Sequence, residues 1–321
     1  MPAKTKYELK PGIATREAFG KALVELGRSN PAVVVLDADL SKSTYTAGFA
    51  KEFPERFVEC GIAEANMMGI GAGLASGGKI PFASSFSVFA MNKGFEQLRV
   101  TAAFPNVNLK VVGTHSGISI GEDGPSQMSI EDLSLACSLP GFTVISPADE
   151  VAAMKLVKAA AEHVGPVFIR TGRLKVPVIY DAGQDFEIGK SIELMEGSQV
   201  TLIATGLMVA ESIRAAETLE SEGISARVID MHTIKPLDRD AISRAARETG
   251  AIVVAEEHLV DGGLGVRVAQ VIAETHPVPM EFVGIQNTYA ESASPEELLD
   301  KYGLLARDVA AAARLVIKRK R

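Results

Sequence analysis

Short β-branched and aliphatic runs alternate with stretches of helical period along most of this chain, and that alternation limits what it can become. Strands are expected over residues 32–36, 109–113, 143–145 and 167–170. Helices are expected over residues 15–27, capped by Thr15, over 64–74, and from Pro147 to about residue 161. Parallel strands cannot be joined by a two-residue hairpin and need crossover helices, so the pattern predicts an α/β fold with parallel sheets. Between Val178 and Ser198 the rhythm breaks, and Asp181-Ala182-Gly183-Gln184-Asp185 is polar and turn-rich. A boundary near residue 187 therefore divides the chain into two parallel-sheet α/β domains, 1–187 and 188–321. The second domain is expected to hold strands over 200–205, 226–230 and 251–256, with helices over 209–222, 238–249 and 266–274. The basic end, Lys318-Arg319-Lys320-Arg321, reads as a solvated helix terminus.

The 321 residues are 47% hydrophobic and 23% charged, enough apolar material for two cores and unlike a disordered chain. A net charge of −7 argues against nucleic acid as a partner, which needs a positive field. It leaves room for small anions, since a few arginines in one pocket suffice. No apolar run reaches the ~18 residues of a membrane span, and the leader Met1–Lys6 opens no signal-peptide core. Cys60 and Cys137 form no disulfide framework, so the expected setting is cytoplasmic.

Several segments carry candidate chemistry beside a plainer reading. Asp37-x-Asp39-x-Ser41 follows a buried strand, where open α/β sheets bind ligands, though a turn or helix cap also uses such residues. It is similar to the haloacid-dehalogenase phosphatase signature, but no downstream lysine and acidic pair follows. Gly69-Ile70-Gly71-Ala72-Gly73 fails as a dinucleotide loop for want of an acidic residue about 20 positions on, and predicts a closely packed helix instead. Glu64 opens that helix and either complements its dipole or serves a site. His115 lies two residues beyond a predicted strand, in a glycine-rich loop shared with Asp123. That loop is either solvated or a polar substrate site. Phe82, Phe86 and Phe89 form a core cluster or a stacking platform for a flat heterocycle. His258 reads as structural.

Taken in order, these segments resemble the transketolase family. The resemblance runs from about Ala14 to Ala273 and rests on Ala14-Thr15-Arg16, Ala38-Asp39-Leu40, Gly61-Ile62-x-Glu64, Gly121-Glu122-Asp123-Gly124-Pro125, Ile145-Ser146-Pro147-Ala148-Asp149 and Thr233-Ile234-Lys235-Pro236-Leu237-Asp238. It implies a pyrimidine-binding domain followed by a transketolase C-terminal domain, and thiamine diphosphate as cofactor. By resemblance, Glu64 bonds the aminopyrimidine ring, Phe86 and Phe89 flank that ring, and Asp39 belongs to the cofactor side. His115, Asp123 and Gln127 face the sugar, while Arg16, Ser43 and Arg173 hold the substrate phosphate. The implied catalytic set is Glu64, His115 and Asp123. The sequence departs from the family pattern at Ala63 and Ala65 beside the glutamate, at Asn92, at Ser116 after the loop histidine, and at Gln127.

The family's diphosphate-binding region, with Gly-Asp-Gly and its metal ligands, has no counterpart in this sequence. The expectation is therefore the C-terminal subunit of a split transketolase, moving a two-carbon ketol unit from a ketose phosphate to an aldose phosphate. Mg²⁺ (or Ca²⁺) would be held mainly by an N-terminal partner subunit, in a two-plus-two heterotetramer. The beta subunit of a 2-oxo acid dehydrogenase and part of a 1-deoxyxylulose 5-phosphate synthase-like enzyme are alternatives with the same two domains. A non-catalytic, complex-forming subunit is the alternative of another class.

Overall fold

A computed structural model describes residues 7–320; the leader Met1–Lys6 and Arg321 lie outside the described residues. The first half runs β1 (Lys10–Ala14), α1 (Thr15–Ser29), β2 (Val33–Asp37), α2 (Ser41–Thr44), α3 (Ala47–Glu52), β3 (Phe57–Glu59), α4 (Glu64–Ser76) and β4 (Ile80–Phe86). It continues through α5 (Phe95–Gln97), β5 (Lys110–Thr114), α6 (Asp132–Ser138), β6 (Thr143–Ile145), α7 (Glu150–Glu162), β7 (Val167–Arg170) and β8 (Lys175–Val178). The second half holds β9 (Ile192–Met195), β10 (Val200–Ala204), α8 (Met208–Ser221), β11 (Ala226–Asp230), β12 (Thr233–Lys235), α9 (Arg239–Thr249) and β13 (Ile252–Leu259). It ends with α10 (Leu264–Thr275), β14 (Met280–Ile285), α11 (Pro295–Lys301) and α12 (Ala306–Lys318).

Two sheets form the frame. One has seven strands in the order β12-β6-β7-β5-β4-β2-β3, parallel except that β12 runs against β6. The other has the order β14-β13-β10-β11-β9, parallel except for β9. Strands β2 and β5 are buried along their whole length, as a sheet covered on both faces requires. Helices α1 and α7 pack together over one face, burying Phe19, Leu23, Leu156 and Val157 completely. Full burial of each such side chain contributes ~1.5–3 kcal/mol. No described helix is long and apolar enough to cross a membrane.

Some local expectations are corrected. Thr15 does not cap α1: its hydroxyl accepts the Gly172 N–H at 2.8 Å and ties the helix start to the chain after β7. Pro147 does not open α7, whose cap is Asp149; one oxygen takes Ala152 N at 2.8 Å and the other takes Ile179 N and Tyr180 N. The expected close packing along α4 holds at Gly71 only. A Cβ there would lie 2.8 Å from Leu109, whereas nothing stands within 4 Å at Gly69 or Gly73. Strand β12 belongs by sequence to the second half and by pairing to the first sheet.

Candidate active site

In the first sheet, parallel register brings the carboxyl ends of β2, β4, β5 and β7 to one edge. That edge is where open α/β sheets hold ligands. Asp39 follows β2, Phe86 ends β4, His115 follows β5 and Arg173 follows β7. His115 sits at φ 56°, a left-handed conformation that side chains with a Cβ adopt at a cost.

Arg16, in the first turn of α1, reaches across to this edge. Its Nη1 donates to the Ser43 carbonyl at 2.7 Å and lies 2.9 Å from His115 Nε2. A guanidinium only donates, so Nε2 must accept, and the proton of the neutral ring is on Nδ1. Nδ1 is 2.9 Å from Thr114 Oγ1, which donates onward to the Ser85 carbonyl at 3.2 Å. Burial, with the Arg16 and Arg173 charges, pushes the His115 pKa down to about 3, so the ring is neutral at pH 7. Burial also lowers the Arg16 pKa from its ordinary value, with Arg173 acting in the same direction and Asp123 opposing. Arg16 Nε is buried and has no hydrogen-bond partner among the described residues. Its guanidinium lies 5.3 Å from the Tyr45 ring centroid.

From His115 the site continues through aromatic rings. Phe86 stacks on the imidazole with centroids 3.8 Å apart, and Phe89 stacks parallel to Phe86 at 5.8 Å. Lys93 Nζ stands 4.6 Å from the Phe89 centroid and 3.3 Å from Glu64 Oε2. Glu64 begins α4, is 4% exposed, and makes no capping bond. Arg173 lies on the other flank, donating to the Ile120 carbonyl and pairing with Asp123 at 3.4 Å and Glu122 at 3.6 Å.

The structure thus joins Glu64, Phe89, Phe86, His115 and Arg16 in one run, with Arg173 and Asp123 on its flank. Ser43 takes part through its carbonyl rather than its hydroxyl. Asp39 is exposed, and its N–H is held by Glu59 at 2.8 Å, on the turn leading towards Glu64. Gln127 stands apart, its amide reaching only Ser126 at 3.5 Å. Phe82 is fully buried in the core, and Asn92 bonds Glu131 instead of meeting the rings. Sequence reasoning missed Lys93, Tyr45 and Thr114. Lys93 follows Phe89 by four residues, a helical spacing that puts the two on one side.

Family models for the transketolase pyrimidine binding domain and the transketolase C-terminal domain match residues 11–178 and 189–309. The chain belongs to the transketolase family. A putative transketolase C-terminal section from Methanocaldococcus jannaschii is 44% identical over 298 residues, covering 92% of this chain and 93% of that protein. Human transketolase is 40% identical over 321 residues, covering 99% of this chain but 51% of the human protein. A solved structure described as a split gene transketolase, inactive beta4 tetramer, superposes with a TM-score of 0.91 at 52% identity, covering 97% of this chain and all of that one. This transketolase-family chain therefore spans about half of a one-chain relative and nearly all of a relative named as a section. The donor set suits the family's cofactor ring. A buried carboxylate offers a hydrogen-bond acceptor, and two parallel phenyl faces offer a flat apolar surface. Among the described residues no group of three or more His, Cys, Asp or Glu is arranged to hold a metal ion.

Proposed function

We propose that this chain is the pyrimidine-binding subunit of a two-chain, thiamine diphosphate-dependent transketolase that moves a two-carbon ketol unit between sugar phosphates. The observation that carries the reading is the unbroken run from Glu64 through Lys93, Phe89, Phe86 and His115 to Arg16. It sets a ring-binding end beside an anion-binding end at the same sheet edge. When bound, thiamine diphosphate supplies the nucleophile that attacks the ketose carbonyl.

Each residue then has a physical task. Glu64 shares a proton with a ring nitrogen of the cofactor, Phe86 and Phe89 cover the ring, and Asp39 completes the cofactor side. Arg16 and Arg173 bind the substrate phosphate, with Arg16 aimed by the Ser43 carbonyl and by His115. His115, kept neutral, orients the sugar through hydrogen bonds rather than charge. Asp123, more than a third exposed, accepts sugar hydroxyls, and Gln127 stands at the rim of that loop. The division between the two domains is placed near residue 187.

A separate N-terminal subunit would hold the diphosphate and its Mg²⁺, in a cytoplasmic assembly of two copies of each chain. The near-complete match to a relative named as a C-terminal section supports that division. So does the solved split-gene relative, an inactive beta4 tetramer. The test is reconstitution. Purified alone, the chain should show no ketol transfer and weak cofactor binding; adding the N-terminal subunit should restore both, with Mg²⁺ dependence. Full activity and micromolar cofactor binding by this chain alone would refute the two-chain reading. A reconstituted complex that binds cofactor but transfers nothing would favour the non-catalytic alternative.

A further inference from the structure

In an open parallel sheet the space beyond the carboxyl ends of the strands is usually where a ligand sits. In the second sheet part of that space is filled by the first domain. Just before its last residue, strand β13 carries Glu256, Glu257 and His258, all buried. Glu256 turns inward, its carboxylate accepting Leu264 N at 2.7 Å and Gly265 N at 2.8 Å at the start of α10. His258 is consumed by Leu259 O at 2.7 Å and Ser134 N at 3.4 Å. Glu257 points the other way, into the loop that carries His115 and Asp123.

There Glu257 Oε1 accepts the Ser119 N–H at 2.6 Å. Gly117, at φ 81°, lies so close that a Cβ would collide with the carboxyl group. The Glu257 carbonyl accepts Arg170 Nη2 at 2.8 Å, and Arg170 Nε bonds Asp132 Oδ2 at 2.9 Å. The same Asp132 oxygen takes the hydroxyl of Ser87, the residue after Phe86, at 2.7 Å. The second domain also meets the far end of the loop, with Ser292 against Gly124 and Pro295 about 3.0 Å from where a Gly121 Cβ would lie. Behind the loop, Thr15, Ser119 and Glu257, together with Pro147, Leu174 and Leu207, line a mixed polar and apolar cavity of about 20 Å³, room for one water. Burial pushes the Glu257 carboxyl up to about 7, and Arg170 opposes that shift.

We propose that Glu257 is a positioning residue: through Ser119 and Gly117 the second domain sets the loop that presents His115 and Asp123 to the sugar. The sugar-binding role of that loop rests on the transketolase reading. The anchor itself does not.

Two conservative variants separate reach from charge. Glu257→Asp keeps the charge facing Arg170 but withdraws the carboxylate from Ser119. Glu257→Gln loses the charge but keeps an amide oxygen that can accept the Ser119 N–H. Hydrogen exchange on the full chain reads the anchor without any activity. Exchange at residues 117–124 should rise about 10-fold in Glu257→Asp, the loss of one hydrogen bond, and stay near wild type in Glu257→Gln. Exchange in α8 and α10 should not change. In the two-chain complex, Glu257→Asp should raise KM for the donor sugar by about 10-fold with kcat changed less, and Glu257→Gln should restore it. Exchange rising evenly through both domains, Asp behaving as wild type while Gln fails, or a loss confined to kcat would each overturn the proposal. If wild-type complex shows no ketol transfer while the exchange pattern holds, the functional reading fails and the anchor stands.

Discussion

Two arginine–aspartate pairs flank the end of β7, and they could hardly differ more. Arg173 and Asp123 meet at 3.4 Å with both side chains more than a third exposed. Arg170 and Asp132, three residues earlier on the arginine side, meet at 2.9 Å with 6% and 0% exposure. The inner pair is tied into its surroundings: Asp132 Oδ2 also takes the Ser87 hydroxyl, and Arg170 also serves the Ser129 and Glu257 carbonyls. Of the pair's buried side-chain atoms, only Asp132 Oδ1 is left without a hydrogen bond among the described residues. Burial pushes the Asp132 pKa up, but the Arg170 charge, His258 and the hydrogen bonds from Arg170 and Ser87 together outweigh it, and the net shift is downward. The outer pair sits in water, where such contacts contribute little to stability. The same two residue types therefore build a fixed strut inside and an open, exchangeable contact outside, the one proposed above to clamp the substrate phosphate.

That contrast predicts opposite phenotypes. The largest effect belongs to the open side. Glu64→Gln should cut kcat of the assembled enzyme by ~10²–10⁴, the range for a proton-sharing group. Near-normal turnover at saturating cofactor would remove Glu64 from the mechanism. On the closed side, Asp132→Ala leaves Arg170 buried without its partner and should cost ~3–5 kcal/mol in urea unfolding, whereas Asp123→Ala should stay within about 0.5 kcal/mol. Equal losses would erase the distinction between strut and clamp. Arg173→Ala should weaken binding of phosphorylated sugars by ~1.5–3 kcal/mol, seen as KM, and spare unphosphorylated ones. Indifference to the phosphate would move the clamp elsewhere.

A pH dependence of stability completes the series. His115 has a folded pKa of about 3 against 6.5 when free, so below pH 6.5 the unfolded chain binds a proton that the folded one does not. Stability should fall as pH drops from about 6.5 towards 3, with His232, pushed by burial to about 4, adding to the slope. His115→Asn should flatten part of it, and NMR of the wild type should find the ring neutral at pH 5.

The parallel α/β frame was legible because hydrophobic period survives in a single sequence, as at residues 32–36 and 200–205. Strand β4 was not, because Ile80–Phe86 reads as an aromatic cluster and not as an alternation. Helix α11 went unread as well, although Ser294, Pro295 and Glu297 spell a capping box, and of α12 only the basic terminus was read. At the site, Arg16, His115, Phe86 and Glu64 were named by the resemblance to the transketolase family. Their connections were not, since Lys93 and Thr114 act through contacts set by tertiary packing. Glu257 was invisible for the same reason: its target, Ser119, lies 138 residues earlier in the chain.

Strand β12 also has a consequence in time. It closes the edge of the first sheet by pairing Thr233 with Ile145. A ribosome adding about 5–20 residues per second finishes β6 several seconds before β12 exists. Through that interval the first sheet has a bare edge of the kind that recruits strands from other molecules. The nascent chain is most exposed to mispairing not while its first half is being made, but while it waits for three residues of its second.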